Sequence, residues 1–162
     1  MTELFTIGYE GIDPRRFFQL LKRCGVEMLI DVRDLPLSRK RGFSKTPLSA
    51  LCEEHEVEYR HVMELGCPRA VRYAYREDGD WAKYTLKFKG YLAHQTEALT
   101  MVASLAEHCR ICLLCFEKDF NYCHRTYVAE AVASLIGGDV KISHLTGPIK
   151  GRVVVLRDAV VA

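Results

Sequence analysis

The run Cys115-Phe-Glu-Lys-Asp-Phe-Asn-Tyr-Cys-His-Arg125 sets two thiols, an acid, an imidazole and a guanidinium between a segment that reads as strand and one that reads as helix. These are the groups of covalent thiol chemistry. Cys115 or Cys123 would be the sulfur nucleophile, His124 its acid or base and Glu117 the orienter, with Arg125 holding an anionic substrate. A helix start presents free backbone N–H groups and the positive end of the helix dipole, which favours a thiolate at Cys123 or a phosphate beside Arg125. The competing structural account has Asn121 capping the helix, Cys123 in the core and Arg125 paired with Glu117. Soft metal ligands are present too, in Cys112, Cys115, Cys123 and His124. On an extended strand residues 112 and 115 point to opposite faces, and Cys123 and His124 are adjacent, an awkward tetrahedral set. No metal site and no cofactor is expected on that spacing.

A second group of residues suits anions. Arg33, Arg39, Lys40, Arg41 and Lys45 crowd one stretch relieved only by Asp34, among Pro36, Ser38, Gly42, Phe43 and Ser44. Backbone freedom, hydroxyl donors and positive charge together describe an anion clamp, and equally a solvated surface loop. Arg69, Arg72 and Arg76, interleaved with Tyr73 and Tyr75, add cations and stackable rings of the kind that bind nucleic acid or a nucleotide.

The elements that must position these groups follow from apolar periodicity. Leu4 to Ile7 reads as a strand, and Asp13-Pro14 starts a helix whose buried stripe is Phe17, Phe18, Leu20 and Leu21, with Gly25 as its stop. Met28 to Val32 is a near-continuous apolar run with one acid inside it, the pattern of a strand covered on both faces. Thr46-Pro47 opens a short helix, Val57 to Val62 is a third strand, and Gly66 to Asp80 reads as a long loop. Trp81 to Phe88 and Gln95 to His108 are helical, broken at Gly90. Arg110 to Phe116 is the most buried-looking strand, followed by a helix carrying Tyr127, Val128, Ala131, Val132 and Leu135. Val140 to Leu145 is a fifth strand and Val153 to Leu156 a further edge strand. Alternating strands and helices predict an α/β fold, a three-layer, open, mostly parallel sheet with helices on both faces.

In such sheets ligands bind outside the carboxyl ends of the strands. Tyr9 and Glu10, Asp31 and Arg33, His61, Cys115 and Glu117, and His144 occupy five such ends, so a shared cleft is expected there. A carboxylate buried unpaired at Asp31 would cost several kcal/mol, so it requires a partner, either Arg33 and backbone N–H groups or a ligand. Arg33 at the mouth suits carboxylate or phosphate oxygens.

The 162 residues, about half of them apolar, suit a single α/β domain over residues 1–162. No apolar stretch reaches the roughly 18 residues of a membrane span, and the first residues lack the pattern of a signal peptide. A cytoplasmic protein without membrane partners is therefore expected. The seven cysteines, odd in number and scattered, argue for reduced thiols. The net charge of +2 says little about partners.

The combination of Thr6-Ile-Gly-Tyr-Glu-Gly11, Leu29-Ile-Asp-Val-Arg33 with Pro36, Ser38 and Gly42-Phe-Ser-Lys45, Leu65-Gly66, and Leu113-Leu-Cys-Phe-Glu117 before Cys123-His-Arg125 resembles the domain of unknown function 488 family over nearly the whole chain. Cys112 stands outside that pattern. The resemblance implies a compact α/β domain of bacterial and archaeal cytosol and leaves the reaction open. Leu29 to Arg33 is also similar to the early strand of rhodanese-like sulfurtransferases, but acidic and aromatic residues follow Cys115 where those enzymes have a tight loop.

The leading expectation is a domain that binds a phosphate-bearing ligand, nucleic acid or nucleotide, through Tyr9, Asp31, Arg33, Arg39, Arg41 and Arg125. The alternatives are a thiol-dependent enzyme using Cys115, Glu117, Cys123 and His124, and a structural or partner-binding domain.

Overall fold

A computed structural model describes residues 1–149 and 152–161, with side chains for residues 1–146. The chain runs β1 (Thr2–Gly8), α1 (Pro14–Arg23), β2 (Met28–Asp31), α2 (Lys45–Glu54), β3 (Glu58–His61), α3 (Arg69–Asp78), α4 (Trp81–Leu92), α5 (Thr96–His108), β4 (Ile111–Cys115), α6 (Arg125–Leu135), β5 (Val140–Ile149) and β6 (Arg152–Val161). Among the described residues the strands form one sheet in the order β3-β2-β4-β1-β5-β6, parallel throughout except for β6 against β5. The expected three-layer, mostly parallel α/β architecture is what forms.

Both faces of the sheet are covered, which is why its central strands are apolar on successive residues; all five residues of β4 are buried. Phe5, Ile7, Leu29, Cys112 and Leu114 pack under α1 and α2 with Phe17, Leu21, Leu48 and Cys52. Leu4, Ile30, Ile111 and Leu113 pack under α4, α5 and α6 with Phe88, Val102 and Val128. The period-two alternation thus sends Cys112 into the first core and turns Cys115, three residues on, toward the second.

Several elements differ from expectation for local reasons. The segment read as a loop from Gly66 to Asp80 contains α3, which starts after Pro68 and stops at Gly79 in the left-handed region (φ 62°). The helix expected to open at Thr46-Pro47 begins at Lys45 after Ser44, whose hydroxyl is engaged with the backbone of Ser38 instead of capping. Gly90 does not break α4, because it costs a helix only about 1 kcal/mol and Tyr84, Phe88 and Leu92 bury a continuous stripe across it. Asn121 caps nothing in α6; Asp119 instead caps the 3-10 turn Phe120–Tyr122 by accepting from the Asn121 N–H.

Candidate functional site: a thiol, imidazole and carboxyl cluster under a cationic cavity

Cys115 ends β4, and the chain returns to the same point at Cys123 and His124. Cys123 is extended (φ −139°, ψ 137°) and His124 is helical (φ −63°, ψ −22°) as α6 begins. That switch of backbone conformation lets two adjacent side chains face one spot. The donor atoms of Cys115, Cys123 and His124 all lie within 4.8 Å of one another, and all three residues are buried.

The His124 Nε2 atom lies 2.7 Å from the carbonyl oxygen of Val32, and a carbonyl only accepts, so Nε2 carries the proton. The Nδ1 atom then faces Cys115 Sγ at 3.7 Å. Phe88 packs edge-on to the imidazole with centroids 5.2 Å apart, fixing the ring plane. The Cys115 thiol also donates to Glu117 Oε2 at 3.3 Å.

Burial pushes the Glu117 carboxyl up to about 7, reinforced by Cys123. Burial would raise Cys123 as well, but a hydrogen bond from Cys115 and the charges of Arg125 and His124 outweigh it and hold this thiol well below the ordinary value. The same hydrogen bond, together with burial, pushes Cys115 well up. His124 rises because the Cys123 sulfur overcomes the opposing effect of burial. The contact between the two sulfurs thus favours the charged form of Cys123 at the expense of Cys115.

Arg125 is fully buried and points away from solvent. Its guanidinium donates to the carbonyl oxygens of Glu117 and Lys118 and, through Nε, to Thr6 Oγ1 at 3.1 Å. The Thr6 hydroxyl that accepts from Nε–H also lies 2.7 Å from His144 Nδ1. His144 stacks on Phe120 at 4.1 Å, so the β4–α6 loop is seated from below. The loop also needs Gly8, where an added Cβ would lie 1.7 Å from the Glu117 carbonyl oxygen.

A second frame holds the opposite side. Asp31 accepts from the Arg33 N–H, Nε and Nη2 groups and from the Tyr59 hydroxyl, with the guanidinium Nη2 at 2.7 Å. Arg33 Nη1 donates to the Phe43 carbonyl (2.7 Å) and the Tyr9 hydroxyl (3.3 Å), and Tyr9 stacks on Phe43 at 4.5 Å. Asp31 keeps Arg33 charged against the opposing effect of burial. Gly66 admits the backbone of Asp34, whose nitrogen would be 2.3 Å from an added Cβ.

Between these frames lies a cavity of about 670 Å³. Cys115, Glu117 and His124 form its floor, Arg39 and Lys40 one lip, and Arg72 and Arg76 of α3 the other. Tyr75, Trp81, Tyr84 and Tyr122 make an aromatic wall, with Trp81 stacked on Tyr84 at 4.4 Å. Arg72 reaches across to Asp34 at 3.0 Å.

Of the residues singled out in the sequence, Tyr9, Arg33, Arg39, Cys115, Glu117 and His124 line this cavity, as do Lys40, Arg72, Tyr75 and Arg76 of the two cationic segments. Asp31, Cys123 and Arg125 sit behind it, their polar groups committed to neighbours, and Arg41 is exposed outside its lining. His61 donates to the Arg33 carbonyl, and His144 lies within β5 opposite Thr6, not at the strand end. The cavity contributions of Tyr84 and Trp81 were missed, as was the helix that presents Arg72 and Arg76. Pro68 before that helix and Gly79 after it were the readable start and stop.

A family model described as a domain of unknown function, DUF488, matches residues 13–132. The chain belongs to that family. No curated protein and no solved structure matches it. The DUF488 match spans both lips, the aromatic wall and the whole sulfur-bearing floor, leaving only Tyr9 of the lining outside. No helix among the described residues is long and apolar enough to cross a membrane.

Proposed function

We propose that this DUF488 chain binds a phosphate-bearing, ring-bearing ligand of the nucleotide class in the cavity at the carboxyl edge of its sheet. One observation carries the reading: four cations on the lips, an aromatic wall and a floor of Cys115, Glu117 and His124 share a single cavity of about 670 Å³. The cations suit phosphate oxygens, and Trp81 and Tyr75 supply faces on which a base stacks. A volume of this size fits a small ligand better than a strand of nucleic acid.

The chain has one tryptophan, in that wall, so its fluorescence reports occupancy. Nucleoside monophosphates should quench Trp81, more weakly as salt rises. Arg72→Ala and Arg76→Ala should each weaken binding roughly tenfold, the loss of about one charge-assisted hydrogen bond. A single-stranded oligonucleotide should compete no better than its terminal nucleotide. Absence of quenching at millimolar ligand and low salt would remove the reading.

A thiol-dependent reaction in the same cavity is a second reading, favoured by the His124 Nδ1 atom turned toward Cys115 Sγ. Here His124 takes the thiol proton, the sulfur bonds to an electrophilic centre of the ligand, and Glu117 in its neutral form protonates the leaving group. Trapping of a covalent adduct on Cys115, seen by mass spectrometry, is the expected outcome. Full turnover by Cys115→Ser would contradict it.

A further inference from the structure

We infer that Cys115, Cys123 and His124 form a Zn²⁺ site of two thiolates and one imidazole, with its fourth position open to the cavity. The three donor atoms converge from separate parts of the backbone within 4.8 Å, and the side chains that carry them are almost wholly shielded from solvent. A tetrahedral zinc with Zn–S near 2.3 Å and Zn–N near 2.0 Å has sulfur and nitrogen about 3.5 Å apart; Cys115 Sγ and His124 Nδ1 are 3.7 Å apart.

The surroundings are those of a metal ligand set. The proton on Nε2 is held by the Val32 carbonyl, the outer contact that orients a ligating imidazole and leaves Nδ1 to the metal. Two thiolates and one imidazole are soft donors that select zinc over magnesium or calcium, and their two negative charges balance a divalent ion. Three protein ligands with an open fourth position is the arrangement of reactive zinc sites, whereas purely structural sites close all four. Cys115 and His124 border the cavity, which puts the open position there, with Glu117 at its edge. The adjacency of Cys123 and His124 is no obstacle, because the backbone turns from extended to helical between them. Cys112 takes no part; its side chain lies in the core on the other face.

The inference rests on the proposed cavity only for the fate of the fourth position. It replaces the nucleophile of the second reading, since Cys115 is then a ligand. Reduced, chelator-stripped protein titrated with Co²⁺ tests it. One equivalent should bind, with thiolate-to-metal charge transfer and the intense visible bands of a four-coordinate site, and Zn²⁺ should displace it. Cys115→Ser, Cys123→Ser and His124→Gln should each weaken binding at least tenfold.

Should those variants unfold, the parent protein still decides the matter. Bound Zn²⁺ should protect Cys115 and Cys123 from alkylation while leaving the rates of the more accessible Cys24 and Cys109 unchanged. No stoichiometric Co²⁺ uptake, or uptake that leaves Cys115 and Cys123 unprotected, would overturn the site. Trp81 quenching measured on the metal-free protein keeps this failure separate from failure of the ligand cavity.

Discussion

Arg125 and Arg33, both expected to meet a ligand, hold the two frames of the cavity, and Arg33 also lines it. Each guanidinium is spent on protein oxygens: carbonyls and Thr6 for Arg125, and Asp31, Phe43 and Tyr9 for Arg33. Thr6→Val removes both the acceptor for the Arg125 Nε–H and the hydroxyl partner of His144, and should cost about 1–3 kcal/mol. A lowered urea midpoint with an unchanged slope would register it. Asp31→Asn leaves Arg33 buried without its counter-charge, and should cost about 3–5 kcal/mol by the same measurement. The requirement that Asp31 find a partner was legible from an acid inside an apolar run. The convergence of Cys123 and His124 was not, because side-by-side residues point apart in regular structure and only the dihedral change at the start of the helix brings them together.

Elements were legible where a buried stripe and a cap coincided, as in α1, where Asp13 Oδ1 accepts from the Arg16 N–H at 2.9 Å. The α3 helix was hidden because seven of its ten positions are polar or aromatic and none is buried, although Ala70, Val71, Ala74 and Tyr75 share one face. It is held by tertiary contacts, among them Tyr75 edge-on to Trp81 and the Arg72–Asp34 pair. The loop after β4 depends on a different device, the backbone contact at Gly8. Gly8→Ala forces a methyl into the Glu117 carbonyl, and relief by backbone shift should cost on the order of 3 kcal/mol. Chemical denaturation gives the loss, and Trp81 fluorescence in the folded variant should show a disturbed floor.

For the whole molecule, the alternation of strands and helices made the layered sheet legible, whereas the placement of each strand depended on pairings distant in sequence. All seven cysteines are free thiols, and two of them, Cys24 and Cys109, are partly exposed. Alkylation of the native protein should modify these two first. Cys52, raised to about 12 by burial and by Asp31, and Cys112, raised well above the ordinary value mainly by burial, should react only at the rate of global unfolding. Peptide mapping after timed alkylation gives the order, and early labelling of Cys112 would contradict the packing of β4.

The position of β1 has a consequence for biosynthesis. It lies between β4 and β5, with Gly8 opposite Cys115 and Thr2 opposite Val140. Synthesised before every other strand of its sheet, β1 finds neither neighbour until β4 has followed it. Until then the nascent chain carries an unpaired apolar segment, an invitation to chaperones.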